Sequence, residues 1–279
     1  MKRLFLILAA VSLVAISCNK NELDIVSETH PVTLSIGLAG GTKVSHDYSD
    51  NKVKPAWEDT DYVFIQFEEN GTEYLEKFDI DASTISEDGK SASFSNPESQ
   101  LTGDTFKVIY STPALTQVSG TSLTFDLAGQ KGDLEELPEY LEAVVTDGAT
   151  SVALESKLTY FHFVLTLNHL DQYDHIGNLH FGAWDGSSFE SGYFRLTNTN
   201  ESSVESVDLG TPSITLGQTI DLFVAVFQIK QADNYNVKIT MEKAHGHSAH
   251  EFHYSWNPKD GKEYVAGKVY KVTGELVKK

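Results

Sequence analysis

Apolar and polar residues alternate in short runs along most of the chain. Near the amino-terminal end, Val32, Leu34, Ile36 and Leu38 alternate with small or hydroxylated residues. Because successive side chains of a strand point to opposite faces, this period of two predicts a strand with one buried face. Residues 62–67 are rich in aromatic and β-branched side chains, which also favour a strand.

A tight hairpin is predicted directly after that second strand. Asn70-Gly71 supplies residue types that tolerate positive φ, as a two-residue hairpin turn requires, and residues 73–80 can return as the partner strand. Shorter strand patterns follow at residues 91–94, 106–110, 122–127 and 141–145. Residues 129–140 contain Pro138 and only brief helical spacing, which predicts a loop with at most one helical turn.

The most apolar strand pattern lies at residues 158–167. Phe161, Phe163 and Leu165 share one face, whereas Tyr160 and His162 share the other. A strand that is apolar on both sides is expected to be covered on both sides. We therefore interpret His162 as a core histidine with a polar partner rather than as a catalytic base.

These patterns predict an all-β protein made of about a dozen short strands, with turn signals every ~8–12 residues. Such a sequence is typical of antiparallel β-sandwiches, since parallel strands usually need a helical crossover and no long amphipathic helix is evident. The strand pattern restarts near residue 155, and domains usually contain ~100–200 residues. We predict two tandem β-sandwich domains at residues 31–155 and 156–279.

The amino-terminal segment indicates export and lipid attachment. Lys2 and Arg3 precede an apolar run at residues 4–16, which is too short to span a bilayer comfortably and is typical of a secretory signal. Cys18, the only cysteine, follows that run, although Ala15 replaces the leucine usual in a lipoprotein cleavage site. We predict a signal peptide at residues 1–17, a lipid on Cys18 and a polar tether at residues 18–30. The alternative is an ordinary signal peptide.

Charge and composition narrow the possible partners. The formal net charge is −19, so the chain is poorly suited to bind nucleic acid or to lie on anionic lipid through a basic patch. With a single cysteine, no internal disulfide can form, and the fold depends on its apolar cores. The acidic surface suits a soluble body held outside the cell on a membrane anchor.

Several short motifs, in order, resemble the fimbrillin family of surface lipoproteins. They include residues 42–44, the segment 55–64 around Trp57, Glu58 and Asp59, residues 158–163, and the ending at residues 266–270. This resemblance covers nearly the whole mature chain. It implies two transthyretin-like β-sandwich domains, a lipid-anchored location on the outer membrane, and a part in fimbriae (pili) or cell adhesion.

The resemblance also implies assembly by β-strand addition. In polymerising members, an arginine-specific protease removes the first strand, and a strand from a neighbouring subunit fills the groove. Here the only arginines are Arg3 and Arg195, so no arginine lies between Cys18 and the second strand. An anchor, tip or accessory subunit, or a stand-alone adhesin, is therefore at least as consistent with the sequence as a shaft subunit.

Two sets of residues are candidates for binding. His245, His247, His250 and His253 could contact a zinc, nickel or copper ion, but we favour a flexible polar hairpin tip without a physiological metal site. Trp184 and Trp256 lie beside predicted turns with Asp or Asn neighbours, where an aromatic ring can stack on a sugar. The alternative is that each ring caps the end of an apolar core.

The sequence favours a non-enzymatic role. It contains no nucleophile elbow, zinc-protease helix motif, phosphate-binding loop or dinucleotide fingerprint, so we predict no catalytic residues and no cofactor. The favoured function is a surface lipoprotein that acts as a fimbrial anchor, tip or accessory subunit, or as an adhesin. Its expected partners are other fimbrial subunits and a host or bacterial surface protein or glycan. The alternative is a glycan-binding surface lipoprotein of a saccharide-uptake system.

Overall fold

The computed structural model describes residues 30–39, 45–49, 52–54, 56–168, 170–173, 175–199, 202–210, 219–243, 247–258 and 263–279. The predicted signal peptide, the lipid site Cys18 and most of the predicted tether lie outside these residues. Within them the chain is all-β, as predicted. Its helical segments there are single 3-10 turns at Ala82–Thr84, Pro113–Leu115, Leu127–Gly129 and Leu170–Gln172. None of the described helices is both long and apolar enough to cross a membrane.

The strands fall into two sets, and the first set comes from the amino-terminal half. It comprises β1 (His30–Leu38), β2 (Ser45–Ser49), β3 (Lys52–Lys54), β4 (Tyr62–Glu69), β5 (Thr72–Asp81), β6 (Ser91–Ser99), β7 (Phe106–Ser111), β8 (Thr116–Ser119), β9 (Ser122–Phe125), β10 (Tyr140–Val145) and β11 (Ser151–Ser156). Seven of these close into a barrel in the order β1-β11-β10-β7-β4-β5-β6. Strands β2 and β3 form one separate hairpin, and β8 and β9 form another.

The second strand set comes from the carboxyl-terminal half and forms two sheets. It comprises β12 (Thr159–Thr166), β13 (His175–Trp184), β14 (Phe189–Glu190), β15 (Phe194–Arg195), β16 (Val207–Asp208), β17 (Thr219–Gln228), β18 (Tyr235–Lys243), β19 (His247–Trp256), β20 (Val269–Glu275) and β21 (Val277–Lys278). One sheet has the order β15-β17-β12-β20. The other has the order β14-β13-β18-β19-β21, with β16 also paired to β13.

The predicted hairpin between β4 and β5 is confirmed. Asn70 and Gly71 occupy its two turn positions with φ of 52° and 79°. Both angles are positive, as a turn that matches the twist of the flanking strands requires. The two strands then pair from Glu69 and Thr72 back to Tyr62 and Asp79.

Two pairings differ from the predicted purely antiparallel arrangement. β1 pairs in parallel with β11, and β12 pairs in parallel with β20. In each set the first strand therefore lies beside a strand from near the end of that set. No helical crossover is needed, because the intervening strands themselves form the connection. The first set also differs from an open sandwich, since its main sheet closes into a barrel.

Each strand set has an apolar core of its own. The barrel is filled by inward residues from all seven of its strands, among which Ile36, Val63, Ile65, Phe78 and Phe94 are fully buried. The second core lies between the two sheets of the second set and is rich in aromatic rings, including Phe161, Phe163, Phe181, Phe194 and Tyr235. Burying each such side chain stabilises the fold by about 1.5–3 kcal/mol.

A third core joins the two sets. It contains Phe125 and Tyr140 from the first set and Tyr160, Phe223 and Phe227 from the second. Tyr160 lies on the face of β12 opposite Phe161, which confirms that this strand is covered on both sides. The predicted domain boundary between residues 155 and 156 stays a prediction, and this core crosses it.

Candidate functional site

The first described strand, β1, occupies a slot between two barrel strands. On one side it pairs antiparallel with β6, from Val32 opposite Asn96 to Gly37 opposite Ser91. On the other side it pairs in parallel with β11, from Ser35 opposite Ser151 to Leu38 opposite Leu154. The strand therefore supplies backbone hydrogen bonds to two neighbours and closes the barrel.

Alternate side chains of β1 enter the barrel core. Leu34, Ile36 and Leu38 have exposed fractions of 2, 0 and 7 %, whereas Thr33 and Ser35 are exposed. In strand addition, the backbone ladder provides much of the affinity and the pockets for alternate side chains provide specificity. The slot has both features, with its pockets matched to three aliphatic side chains.

Trp57 lies against β1 and binds its backbone directly. The indole Nε1 of Trp57 donates a hydrogen bond of 3.2 Å to the carbonyl oxygen of Ile36. The ring makes edge contacts with Phe94 and Tyr110 at centroid distances of 4.8 and 5.3 Å. The Trp57 segment, one of the motifs that carry the family resemblance, thus forms part of the wall that holds β1.

A buried tyrosine supports this wall. The hydroxyl of Tyr110 donates to Asp61 Oδ1 at 3.0 Å, which links β7 to the loop that carries Trp57. Burial, together with nearby carboxylates that include Glu139 and Asp61, strongly raises the pKa of Tyr110. The phenol therefore stays protonated and acts as a fixed donor at any physiological pH.

The two candidate tryptophans lie on opposite faces of one sheet. Trp184 is half-buried on the outer face, 5.2 Å from Phe189 and 5.8 Å from His253 between ring centroids. Trp256 lies on the core face, beside Tyr235 and Tyr254, and its Nε1 donates to the Tyr264 hydroxyl at 3.2 Å. Ligand contact by either ring stays a prediction, and a single binding platform cannot contain both.

The histidine segment is more ordered than predicted. His250 and His253 belong to β19, a ten-residue strand paired with β18, so the expectation of a flexible hairpin tip was wrong there. Because these residues are three apart in a strand, they lie on opposite faces and do not meet. His245 and the side chain of His247 lie outside the described residues.

The surroundings of His253 disfavour its charged form. Burial lowers its pKa, as do the nearby charges of Lys279 and Lys238, and Glu251 only partly offsets them. Its Nε2 is 4.0 Å from Glu251 Oε2. Among the described residues, no group of three or more His, Cys, Asp or Glu side chains could hold a metal ion.

The sequence patterns did not indicate a polar pocket at one end of the four-stranded sheet of the second set. Its lining includes Lys157, Thr159, Gln228, Gln231 and Tyr264. These residues are far apart in the sequence and form no motif, and only the tertiary fold brings them together. No pattern of residue types could have identified them in advance.

Comparison with known proteins finds similarity only at the level of structure. No protein-family model matches the chain, and no curated protein matches it. A Bacteroides eggerthii protein assigned to cell adhesion is 15 % identical, with 88 % of this chain and 85 % of that chain covered and a TM-score of 0.45. For a Bacteroides ovatus protein assigned as an adhesin, the identity is 11 %, the coverage is 87 and 89 %, and the TM-score is 0.46.

A fimbrial protein from Bacteroides ovatus is also similar. It is 11 % identical, 88 % of this chain aligns with 50 % of that chain, and the TM-score is 0.32. All three similarities are weak in both sequence and superposition.

Proposed function

We propose that this chain is a non-enzymatic surface lipoprotein that acts as a fimbrial anchor, tip or accessory subunit, or as an adhesin. The observation that carries the proposal is the position of β1. This strand follows the predicted tether, lies between β6 and β11, and inserts three aliphatic side chains into the barrel. The slot that β1 fills is of the kind that, once emptied, can accept a strand from another subunit.

Strand addition has a direct physical basis at this slot. A barrel without β1 would expose unpaired N–H and C=O groups along both β6 and β11, and the indole N–H of Trp57 would lose its acceptor. An unpaired strand edge is a template for an incoming strand. An extended segment with aliphatic residues at alternate positions would satisfy the same groups.

The arginine distribution bears on the place of the chain in an assembly. With β1 retained, the slot is filled and the chain cannot accept a neighbour's strand there. Because no arginine occurs between Cys18 and residue 194, arginine-specific removal of β1 is impossible. We infer that the chain keeps β1 and occupies an end of the assembly or works alone, whereas a chain beginning beyond Ala39 would accept a strand.

The proposed lipid places the body at the outer membrane. Two acyl chains suffice for stable anchoring, at about 0.8 kcal/mol for each buried methylene. The predicted tether then separates Cys18 from His30, the first described residue. The net charge of −19 keeps this body soluble and limits its adsorption to anionic surfaces.

A deletion strain tests the proposal. We expect loss or shortening of fimbriae by electron microscopy, or reduced adhesion to host or bacterial cells. Complementation with the full-length gene should restore the phenotype, whereas a Cys18→Ala gene, which lacks the proposed acylation site, should not. Unchanged fimbriae together with unchanged adhesion in the deletion strain would reject the proposed function.

A further inference from the structure

The four-stranded sheet of the second set has an open edge at β20. Along one side, the residues of β20 pair in parallel with β12. Along the other side, no strand of the described chain pairs with β20, which is the last strand of its sheet. A strand edge of this kind carries unpaired backbone groups that can pair with a strand of another chain.

The pairing with β12 determines which backbone groups of β20 point to the open edge. At the end of the pairing, the N–H of Leu276 donates to the carbonyl of Thr166 at 2.8 Å. Residue 276 and the even-numbered residues of β20 therefore face β12, because successive residues of a strand direct their backbone groups to opposite sides. The residues that direct both N–H and C=O to the open edge include Lys271, Thr273 and Glu275.

A tyrosine from the other sheet supports this edge. Tyr254 of β19 donates through its hydroxyl to the carbonyl of Thr273 at 2.9 Å. Its ring lies directly against Gly274, where a side chain would collide with it. Because a carbonyl oxygen has two lone pairs, Thr273 can still accept a hydrogen bond from an incoming N–H.

The side chains along the edge carry opposite charges. Lys271, Thr273 and Glu275 are all exposed, and they lie on one face of the strand because they are two residues apart. Glu275 accepts a 2.6 Å hydrogen bond from the Asn168 amide, which holds its carboxylate beside the strand. A strand that pairs with this edge therefore meets a positive charge, a hydroxyl and a negative charge, in that order.

This order is complementary to itself when two copies of the strand run antiparallel. With a two-fold axis at Thr273, Lys271 of each copy lies opposite Glu275 of the other, and the two threonines lie opposite each other. Each pair exchanges two backbone hydrogen bonds, since all three residues direct their backbone groups to the edge. Opposite charges and paired threonines both stabilise antiparallel strands.

The neighbouring registers are less favourable. A two-fold axis at Lys271 would place two lysines against each other, which is destabilising. An axis at Val272 would place Lys271 opposite Thr273 and leave the charges without partners. The charge pattern therefore selects the axis at Thr273.

The paired segment is short. Directly after Glu275 the chain leaves this edge, because Leu276 is buried and Val277 pairs with His253 in the other sheet. Pairing is therefore restricted to residues 271–275, which makes the contact smaller than a standard interface of about 1,600 Å². Such a contact supports weak and reversible association.

We propose that the open edge of β20 binds β20 of a second copy of this chain. The two four-stranded sheets then form one continuous sheet. The two-fold arrangement is closed, so it produces a dimer and not a filament. The inference goes beyond the proposed function, because it uses the second strand set and leaves the β1 slot of the first set unchanged.

Sedimentation equilibrium measures the association. The full chain is purified in a density-matched detergent and studied at about 0.15 M salt, where charges more than about 8 Å apart are largely screened. We expect a monomer–dimer equilibrium with a micromolar dissociation constant. A monomer at all concentrations up to about 1 mM would overturn the proposal.

Charge reversal tests the pairing of the side chains. Lys271→Glu places two carboxylates opposite each other at both ends of the segment and should weaken dimerisation about ten-fold or more. Adding Glu275→Lys to this variant restores opposite charges and should recover most of the affinity. Lys268→Glu is the matched control, because it makes the same change in net charge at an exposed position outside the paired segment. Equal weakening by the two single variants, or no recovery in the double variant, would contradict the assigned contact.

Disulfide formation tests the position of the axis. In a Cys18→Ala chain, which has no other cysteine, Thr273→Cys would place two thiols on directly opposite residues with Cα atoms about 5.5 Å apart, which suits a disulfide. Lys271→Cys in the same background is the control, since its two copies would be separated by about 13 Å along the strands. We expect a cross-linked dimer from the first chain and none from the second. Cross-linking of both chains or of neither would overturn the proposal.

These measurements separate the dimer from the proposed function. They use purified protein, so their results are independent of the deletion phenotype. A dimer without a fimbrial or adhesion phenotype would retain the β20 contact and reject the proposed function. A phenotype with a strictly monomeric protein would do the reverse.

Discussion

His162 illustrates how a polar side chain is accommodated beside the third core, which joins the two strand sets. Its ring stacks on Phe223 with centroids 4.3 Å apart and an interplanar angle of 4°, and its Nε2 lies 2.8 Å from Asp221 Oδ1. Burial lowers its pKa below the usual 6.5, although the Asp221 carboxylate acts in the opposite direction. The buried ring with an acidic partner confirms the interpretation of His162 as a core histidine.

A pH prediction follows from this lowered pKa. Between the folded pKa and 6.5, the unfolded chain binds more protons at this histidine, so its contribution to the free energy of unfolding falls as pH falls below about 6.5. His162→Gln should therefore flatten the loss of stability between pH 7.5 and 5, as measured by urea unfolding at each pH. The variant itself should be less stable at pH 7.5, because the stacked ring is lost.

The exposed His175 provides the matched control for this measurement. It also lies beside a carboxylate, 3.1 Å from Glu242 Oε2, but both side chains are about half exposed. His175→Gln should leave the pH profile close to that of the unmodified chain. An unchanged profile in His162→Gln would show that burial of this histidine does not affect the stability.

Two amide side chains form hydrogen bonds to backbone groups across the interface between the two strand sets. Gln130, 3 % exposed, donates through Nε2 to the carbonyl of Ala225 at 3.0 Å and accepts from its N–H at 2.8 Å. Conversely, Asn198 accepts from the N–H of Phe125 at 2.7 Å and donates to the carbonyl of Leu123 at 3.1 Å. Each strand set thus uses a side chain of the other to satisfy its backbone.

At the scale of elements, local patterns predicted strands well and their partners poorly. The alternation in β1, the turn at Asn70-Gly71 and the dense run in β12 all depend on neighbouring residues, and the structure confirms them. The parallel pairing of β1 with β11 joins segments more than a hundred residues apart, and no local signal specifies it. β19 was missed because its histidines and the preceding Gly246 suggest a polar turn.

The same limit applies to the candidate sites. Trp57 could be singled out because it lies within a short ordered motif. The pocket could not, because Thr159, Gln228 and Tyr264 are ordinary residues until three separate segments meet. The sequence also suggested equal roles for Trp184 and Trp256, whereas the pairing of the strands puts them on opposite faces of the sheet.

A strand-replacement experiment tests β1 as an exchangeable element. A chain that begins after Ala39 should be less stable than the mature chain. It lacks the backbone hydrogen bonds of β1 to β6 and β11, and it lacks the buried side chains of Leu34, Ile36 and Leu38. A synthetic peptide of residues 30–39 should bind it and raise its melting temperature in a concentration-dependent way. Calorimetry and thermal unfolding measure both effects.

Two altered peptides control for nonspecific binding. A peptide with Ile36→Asp places a charge in the barrel core and should not bind. A peptide with Thr33→Asp changes an exposed position and should bind nearly as well as the original. Equal binding by the two altered peptides, or no binding by the original, would contradict the role of β1.

At the scale of the whole molecule, the third core and the two amide bridges connect the halves into one unit. The third core buries Phe125, Tyr140, Phe223 and Phe227 together. The predicted tether leads directly into β1. A force that pulls the protein away from the membrane would therefore act along this strand and shear its backbone hydrogen bonds to β6 and β11. If the chain is anchored as proposed, the anchor therefore connects through β1 to both strand sets.

The most direct test of this account is mass spectrometry of the amino-terminal peptide of the protein purified from cells. The account predicts an acylated Cys18 followed by an uncut chain through β1, in the outer-membrane fraction, and a palmitate analogue should label the protein but not its Cys18→Ala variant. An unacylated chain that still begins at Met1 and is recovered from the cytosol would contradict it.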